Sequence, residues 1–517
     1  MKTRFTTFTI AFGSTIRVWI LCIACVLARV GASPAGDPLA SERQRAMAAL
    51  EEAMPRAAKD PTRPMFHYRP PAQWMNDVCG AIYHNGYHHI FYQSNPYRDD
   101  GGGWGWGHAR SKDLAYWEEL PFALVPMKHR GELRCNSGCV TLDGNGQPMI
   151  FFTFVPQQEE TLVPQQERMK RTHWAAMPLD KDLRQWQRVG NKQLIEAGRG
   201  GVPADVRHNW SDPYVFKSAG RTFVTFKACY TLVCEAQNKT LTEWKCIGKL
   251  DGAEGECPNV FKLQDKWLIV RSKSPTVCYV TGNLVLQGND IRFDADGPAR
   301  ALDYGYGKNI PKDRGGSLGL YGTSTYEDAK GRRILFGWIS GFKSGRGWNG
   351  CMSLPRLLTL DKGGQLIQTP APELKELRGE HTRITRLALE NEFKLVKGAA
   401  GNQIEVIAEF DPAQAAAFGL KLCSSGDGQR AITLRYAGGT LNVAGTEVPL
   451  TLRDTRKTLK LHVFLDRSVM EVFINDGQAT ATRVEYPVEN DLGVGVFAEN
   501  GKATLESLDV WQMKSIW

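Results

Sequence analysis

Apolar and polar positions divide this chain into two textures. From Phe66 onward, short runs of aromatic and β-branched residues recur, each closed by Gly, Asn, Asp or Pro. Gly86-Tyr87-His88-His89-Ile90-Phe91-Tyr92-Gln93, Met149-Ile150-Phe151-Phe152-Thr153-Phe154, Thr222-Phe223-Val224-Thr225-Phe226, Trp267-Leu268-Ile269-Val270 and Arg333-Ile334-Leu335-Phe336-Gly337-Trp338 are of this kind. Turn-forming stretches such as Asp143-Gly144-Asn145-Gly146, Gln264-Asp265-Lys266 and Lys330-Gly331 introduce several of them. Regular short runs with few helical periods predict strands. Spread over about 300 residues, they suit a propeller, whose radial repetition leaves only short edges. From roughly Glu373 the pattern alternates strictly, as in Thr458-Leu459-Lys460-Leu461-His462-Val463-Phe464-Leu465 and Val469-Met470-Glu471-Val472-Phe473-Ile474. Asn475-Asp476-Gly477 follows the second run and is a strong hairpin signal. Alternation with one apolar face is what a β-sandwich needs. The expected fold is therefore all-β, with a propeller over 63–366 and a sandwich over 374–517. The boundary falls around Gln368-Thr369-Pro370-Ala371-Pro372.

The N-terminus reads differently. Lys2, Arg4 and Arg17 precede an apolar run from Val18 to Val30, and Val30-Gly31-Ala32 is a small-residue cleavage pattern. Residues 1–32 are expected to be an export signal, so the protein is expected to be secreted or periplasmic. The run is too short and interrupted for a stable membrane span. Residues 33–62 are Ala-rich and charged, and predict an exposed helix or tether.

Composition adds limits. A chain of 517 residues suggests two domains. Hydrophobic content of 42% and charged content of 23% are ordinary for a globular protein. The net charge of +9 comes from scattered basic residues, which argues against a nucleic-acid partner. Cleavage removes Cys22 and Cys25 from a total of 12 cysteines. The even remainder permits disulfides, with Cys135–Cys139 and Cys229–Cys234 as candidate pairs. No paired Cys-x-x-Cys or His-rich spacing points to zinc, so no metal site is expected.

Three acidic positions stand in similar strand-edge settings. Asp77 lies in Gln73-Trp74-Met75-Asn76-Asp77-Val78-Cys79-Gly80, Asp212 in Trp210-Ser211-Asp212-Pro213, and Glu256 in Glu254-Gly255-Glu256-Cys257-Pro258. Each alone reads as a turn or loop carboxylate. Together they call for a joint explanation.

The blocks around them resemble glycoside hydrolase family 32, the β-fructofuranosidases. Trp74-Met75-Asn76-Asp77 resembles the family's Trp-Met-Asn-Asp-Pro-Asn-Gly. Phe91-Tyr92-Gln93-Ser94-Asn95-Pro96, Trp106-Gly107-His108-Ala109-Arg110-Ser111-Lys112-Asp113, Ser137-Gly138, Glu256-Cys257-Pro258, Trp348-Asn349-Gly350-Cys351-Met352-Ser353-Leu354-Pro355-Arg356 and Leu465-Asp466-Arg467-Ser468-Val469-Met470-Glu471-Val472-Phe473 follow in family order. The resemblance implies a five-bladed propeller followed by a sandwich, and retaining cleavage of a fructofuranoside. Retaining cleavage uses two carboxyl groups roughly 5–5.5 Å apart, one nucleophilic and one protonating the leaving oxygen. By resemblance Asp77 is the nucleophile, Glu256 the acid/base and Asp212 the transition-state stabiliser. Glu256 is expected to have its pKa raised by burial and neighbouring negative charge. Asn76, Trp74, Gln93, Ser137 and Ser211 are expected at the fructosyl pocket. Trp104, with Trp106, offers either a stacking platform or a blade-edge anchor. His108 is expected to be structural, and Cys257 to pack or tune. No cofactor is implied, and the partner is a fructose-containing oligo- or polysaccharide.

Two departures bear on the pocket. Val78-Cys79 replaces the family's Pro-Asn. Ser211 stands where the family carries the Arg of an Arg-Asp-Pro motif, and a Ser copies neither its reach nor its charge. Arg207 and His208 are the nearby candidates to compensate. Asn209-Trp210-Ser211 spells a glycosylation acceptor beside Asp212, which suits a bacterial-type export route. A fructosyltransferase using the same triad, a furanosidase of altered specificity and a non-catalytic carbohydrate-binding protein are the alternatives.

Overall fold

The computed structural model describes residues 39–157, 170–206, 210–227, 231–273, 276–288, 290–305, 319–450, 452 and 458–517. The expected export signal and the candidates Arg207, His208 and Cys229 lie outside them. Five antiparallel sheets follow one another along the chain. The first holds β1 (Gln73–His84), β2 (Tyr87–Asn95), β3 (Gly105–Ser111) and β4 (Glu118–Leu124). The second holds β5 (Glu132–Leu142), β6 (Pro148–Pro156), β7 (Thr172–Pro178) and β8 (Trp186–Arg188). The third holds β9 (Ser211–Ser218), β10 (Arg221–Lys227), β11 (Leu232–Ala236) and β12 (Trp244–Lys249). The fourth holds β13 (Glu256–Leu263), β14 (Lys266–Lys273), β15 (Thr276–Gln287) and β16 (Asp290–Ala295), with the short β17 (Arg300–Ala301) on β15.

The fifth starts with β18 (Gly319–Glu327) and β19 (Arg333–Ser340). The chain then leaves it for β20 (Trp348–Asn349), which pairs in parallel with β1. It returns through β21 (Cys351–Met352), β22 (Arg356–Leu360) and β23 (Leu366–Pro370). The first strands of successive sheets pack as a closed ring: β1 on β5, β5 on β9, β9 on β13, β13 on β18, and β18 back on β1. This is a five-bladed propeller. Blades sandwiched between neighbours bury both faces, which is why β3 and β6 are buried at every position instead of alternating.

Among the described residues, the C-terminal part is a β-sandwich of ten strands. They are β24 (Arg378–Ala400), β25 (Gln403–Asp411), β26 (Ala417–Ser424), β27 (Ile432–Ala437), β28 (Thr440–Val443), β29 (Thr446–Pro449), β30 (Leu459–Asp466), β31 (Val469–Ile474), β32 (Ala479–Val484) and β33 (Gly493–Met513). The long antiparallel pair β24 and β33 carries hydrogen bonding from one sheet into the other, with an irregularity at Asn391 where β24 bends. Val406, Leu420, Leu434, Leu461, Val472 and Val496 fill the space between.

The sandwich motif Leu465 to Phe473 fastens the two domains. Asp466 accepts backbone N–H bonds from Met65, Phe66 and His67, and also bonds the His67 ring. Glu471 accepts from the Leu354 N–H, from His67 and from the Arg356 guanidinium, whose other arm reaches Asp303. All five side chains are essentially buried. Each charge is paired, which is the condition for burying it at all.

Residues 33–62 were expected to form an exposed helix or tether. The helix Ala40–Ala58 instead docks one face on the first blade, burying Ala46, Leu50 and Ala57 in the same apolar cluster as Phe122 and Trp104. Charged residues interleave with this stripe and mask it along the chain, and three small or medium apolar residues suffice for a shallow contact. No described helix is long and apolar enough to cross a membrane.

Candidate active site

The first strand of each blade contributes a polar side chain to one connected set of contacts. These are Asp77 on β1, Ser137 on β5, Asp212 on β9, Glu256 on β13 and Tyr321 on β18. Four of those strands break register with their partners at that point: Met75 to Gly80, Asn136 to Gly138, Glu256 to Asn259 and Tyr321 to Ser324. Against β9, the shift lies between Thr225 and Lys227, opposite Asp212-Pro213. Bulges re-aim side chains at the rims of sheets. Here they turn functional groups out of the ladder. Asp212 and Cys257 also adopt left-handed backbone, with φ of 57° and 47°, a strained setting typical of functional positions.

Asp77 is held from several sides. Its Oδ2 accepts a 2.7 Å hydrogen bond from the Ser137 hydroxyl and a 3.5 Å contact from the Cys257 thiol. Ser137 in turn accepts from Gln93 Nε2 at 2.5 Å, Gln93 Oε1 from Asn76 Nδ2 at 3.1 Å, and Asn76 Oδ1 from Trp74 Nε1 at 2.9 Å. The expected pocket residues Trp74, Asn76, Gln93 and Ser137 thus form one relay ending on the expected nucleophile. Gly322 closes the other side: a Cβ there would lie 2.5 Å from Asp77 Oδ1, and its φ is +48°. Only glycine fits.

Asp212 accepts the Cys257 N–H at 3.1 Å, and its own N–H donates to the Thr153 hydroxyl at 3.2 Å. Glu256 Oε2 accepts from the Tyr321 hydroxyl at 2.7 Å, while its Oε1 pairs with the ammonium of Lys227. Lys227 was not foreseen. It stands directly across the β9–β10 ladder from Ser211.

The charges are distributed contrary to expectation. Burial, then repulsion from Asp212 and Glu256, pushes the Asp77 carboxyl up to about 6 against the opposing bonds from Ser137 and Cys257. Asp212 is also raised, mainly by burial, despite the Lys227 charge and the bonds from Cys257 and Ser211. Glu256, expected to be raised, is lowered. Burial lifts it, but the Lys227 ammonium and the Tyr321 hydroxyl outweigh that, with Arg171 adding to them. The counter-ion decides it: the Glu256 side chain, 39% exposed, is directly paired with Lys227.

Trp104 is buried edge-on between Tyr97 and Phe122, and anchors the blade rather than offering a stacking face. Trp106 is likewise buried, its Nε1 donating to the Asn136 carbonyl. His108 stacks on Phe91 at 4.1 Å inside the first blade. Trp338, missed in the sequence, meets Trp74 edge-on at 5.7 Å. Ser211 is buried beside Asp212. Val78 and Cys79 both pack into apolar clusters on either side of β1, and the Cys79 thiol also donates to the Asp77 carbonyl at 3.5 Å. Cys135 and Cys139 are free thiols: Cys135 contacts Glu132 and Arg188, and Cys139 accepts the Val215 N–H. Cys234 faces Cys246 across β11 and β12.

Comparison with known proteins agrees with this architecture. A levanase of Bacillus subtilis (strain 168) is 29% identical over 513 residues, covering 88% of this chain and 71% of the relative. A sucrose-6-phosphate hydrolase of Escherichia coli is 27% identical, covering 87% of this chain and 94% of the relative. Among solved structures, fructan 1-exohydrolase IIa from Cichorium intybus superposes with a TM-score of 0.75 at 21% identity, covering 88% of this chain and 98% of that one. It shares the fold. The family model described as glycosyl hydrolases family 32 N-terminal domain matches residues 67–370, and the corresponding C-terminal model matches 373–512. Between them these two models span the propeller and the sandwich, and the chain belongs to glycosyl hydrolases family 32: it is a glycoside hydrolase.

Proposed function

We propose that this protein is an exported retaining β-fructofuranosidase that releases fructose from sucrose or a fructan. The observation that carries the reading is the convergence of Asp77, Asp212 and Glu256 from three blades, each carboxylate set in its own hydrogen-bond frame. The names of the relatives, a levanase and a sucrose-6-phosphate hydrolase, point to the same substrate class. Export rests on the N-terminal charge and apolar pattern.

In the proposed reaction, ionised Asp77 attacks the anomeric carbon while protonated Glu256 delivers its proton to the departing glycosidic oxygen. The covalent fructosyl intermediate is then hydrolysed by a water that Glu256, now ionised, activates. Asp212, held by the Cys257 N–H, binds sugar hydroxyls and offsets the positive charge that grows on the ring at the transition state. The relay from Trp74 to Ser137 fixes the direction of the Asp77 lone pairs.

Sugar released from sucrose, inulin and levan tests this. Wild type is expected to release fructose from at least one of them. Asp77→Asn is expected to lose activity by at least about 10⁴-fold, since an amide cannot form the bond. An Asp77→Asn variant with wild-type rates would remove Asp77 from the mechanism. A fructose deficit relative to glucose from sucrose would assign transfer to sugar acceptors instead of hydrolysis.

A further inference from the structure

The site contains one cation whose position the family resemblance did not supply. Lys227 ends β10, the strand paired with β9, and its Cα partner in the ladder is Ser211. Its ammonium bonds Glu256 Oε1. It also acts on Asp212, and its own pKa is raised because the Asp212 and Glu256 carboxylates outweigh its burial. Cross-strand neighbours have their Cβ atoms about 4.5–5.5 Å apart. A long side chain at 227 therefore serves the space that a long side chain at 211 would serve.

We propose that Lys227 is a positioning residue that holds Glu256 ionised in the empty site and, when sugar enters, moves its ammonium to Asp212 and the fructosyl hydroxyls, leaving Glu256 free to take a proton. This rests on the proposed β-fructofuranosidase reaction. Its physical motive is the resting contact: a carboxylate that accepts an ammonium on one oxygen and the Tyr321 hydroxyl on the other has no proton to give a leaving group, so the Lys227–Glu256 pair has to part before Glu256 can act as an acid. The raised Asp77 and lowered Glu256 agree with that resting contact. The groups around Glu256 are Lys227 from β10, Tyr321 from β18, Asp212 from β9, Asp77 from β1, Cys257 beside it, and Arg171 ahead of β7. The Lys227 ammonium leads the three groups that hold Glu256 low, ahead of Tyr321 and Arg171, and Lys227 is also coupled to a second carboxylate of the triad. A four-carbon stem with a pivoting ammonium can exchange one carboxylate for its neighbour at small cost. Below the Asp77 pKa, the proton that Glu256 acquires leaves the Asp77 carboxyl, so one exchange puts both groups in their working states. Above it, Asp77 is already ionised and the proton comes from solvent.

Lys227→Met and Lys227→Arg test this with sucrose or levan as substrate. In wild type, the acid limb of the pH profile should lie higher for kcat, which reports the complex, than for kcat/KM, which reports the free enzyme. In Lys227→Met the free-enzyme limb should rise and the difference between the two profiles should vanish. KM should rise about tenfold through loss of a charge-assisted hydroxyl contact. Lys227→Arg keeps the charge and should recover most of the KM loss. Adding Ser211→Arg to Lys227→Met should also restore KM, because the guanidinium enters from the facing strand. A uniform rate loss with unmoved limbs would mean that Lys227 is only structural, and would overturn the inference. If Lys227→Met does not fold, fructose binding to wild type decides. At pH 6.5, calorimetry in two buffers of different ionisation enthalpy should show proton uptake; none would overturn it. A wild type that cleaves neither substrate fails the β-fructofuranosidase reading itself, a separate outcome.

Discussion

Removing the Ser137 hydroxyl should disturb the Asp77 proton in a direction that can be worked out beforehand. Ser137→Ala deletes the 2.7 Å bond to Asp77 Oδ2. A hydrogen bond to a charged group contributes about 1.5–3 kcal/mol, and about 1.4 kcal/mol corresponds to one pKa unit. The Asp77 carboxyl, already up at about 6, should rise by a further one to two units, roughly. The pair titrates as a unit. Because Glu256 lies lower and Asp77 higher, the last proton lost on raising the pH belongs to Asp77. The basic limb of kcat/KM should therefore start near that value in wild type and move up in the variant. The fraction of enzyme with its proton on Glu256 falls by the same factor, so kcat/KM at its optimum should drop about 10- to 100-fold. Initial rates of fructose release across pH, with folding checked by circular dichroism, provide the assay. A conventional arrangement, with the proton resting on Glu256, would move the acid limb instead. A fall in rate with both limbs unmoved would refute the argument.

Two further changes test other parts of the frame. Gly322→Ala places a methyl 2.5 Å from Asp77 Oδ1 in a left-handed conformation. Left-handed backbone alone costs about 1–2 kcal/mol, so the variant should melt several degrees lower and lose most activity; unchanged melting and rate would show that the contact relaxes freely. His67 tests the junction between the domains. Burial lowers its pKa, but Asp466 and Glu471 outweigh that and hold it up at about 9. A raised histidine contributes stability in full below its ordinary value near 6.5, and loses it as pH climbs through about 9. Over that window about 3 kcal/mol should disappear, visible as a falling melting temperature. His67→Gln should flatten the slope, and an equal slope in the variant would assign the loss elsewhere.

Some of this protein was legible along the chain. The change from closely spaced aromatic runs to strict alternation separated the propeller from the sandwich, because burial on both faces or on one face leaves its mark on consecutive residues. The ordered blocks around Asp77, Asp212 and Glu256 pointed to the three carboxylates before any geometry was known. What the chain could not reveal lies in contacts between distant segments. Lys227 pairs with Glu256 from 29 residues away and through a register shift, and no local pattern marks either. The proton preferences of Asp77 and Glu256 depend on which carboxylate is enclosed and which has a cation beside it, so Glu256, expected to be raised, is lowered instead. Trp104 looked as eligible for sugar stacking as for packing until its ring was found edge-on between Tyr97 and Phe122. Side-chain chemistry is written in the residues, but desolvation and Coulomb fields depend on distances that only the closed ring of blades sets.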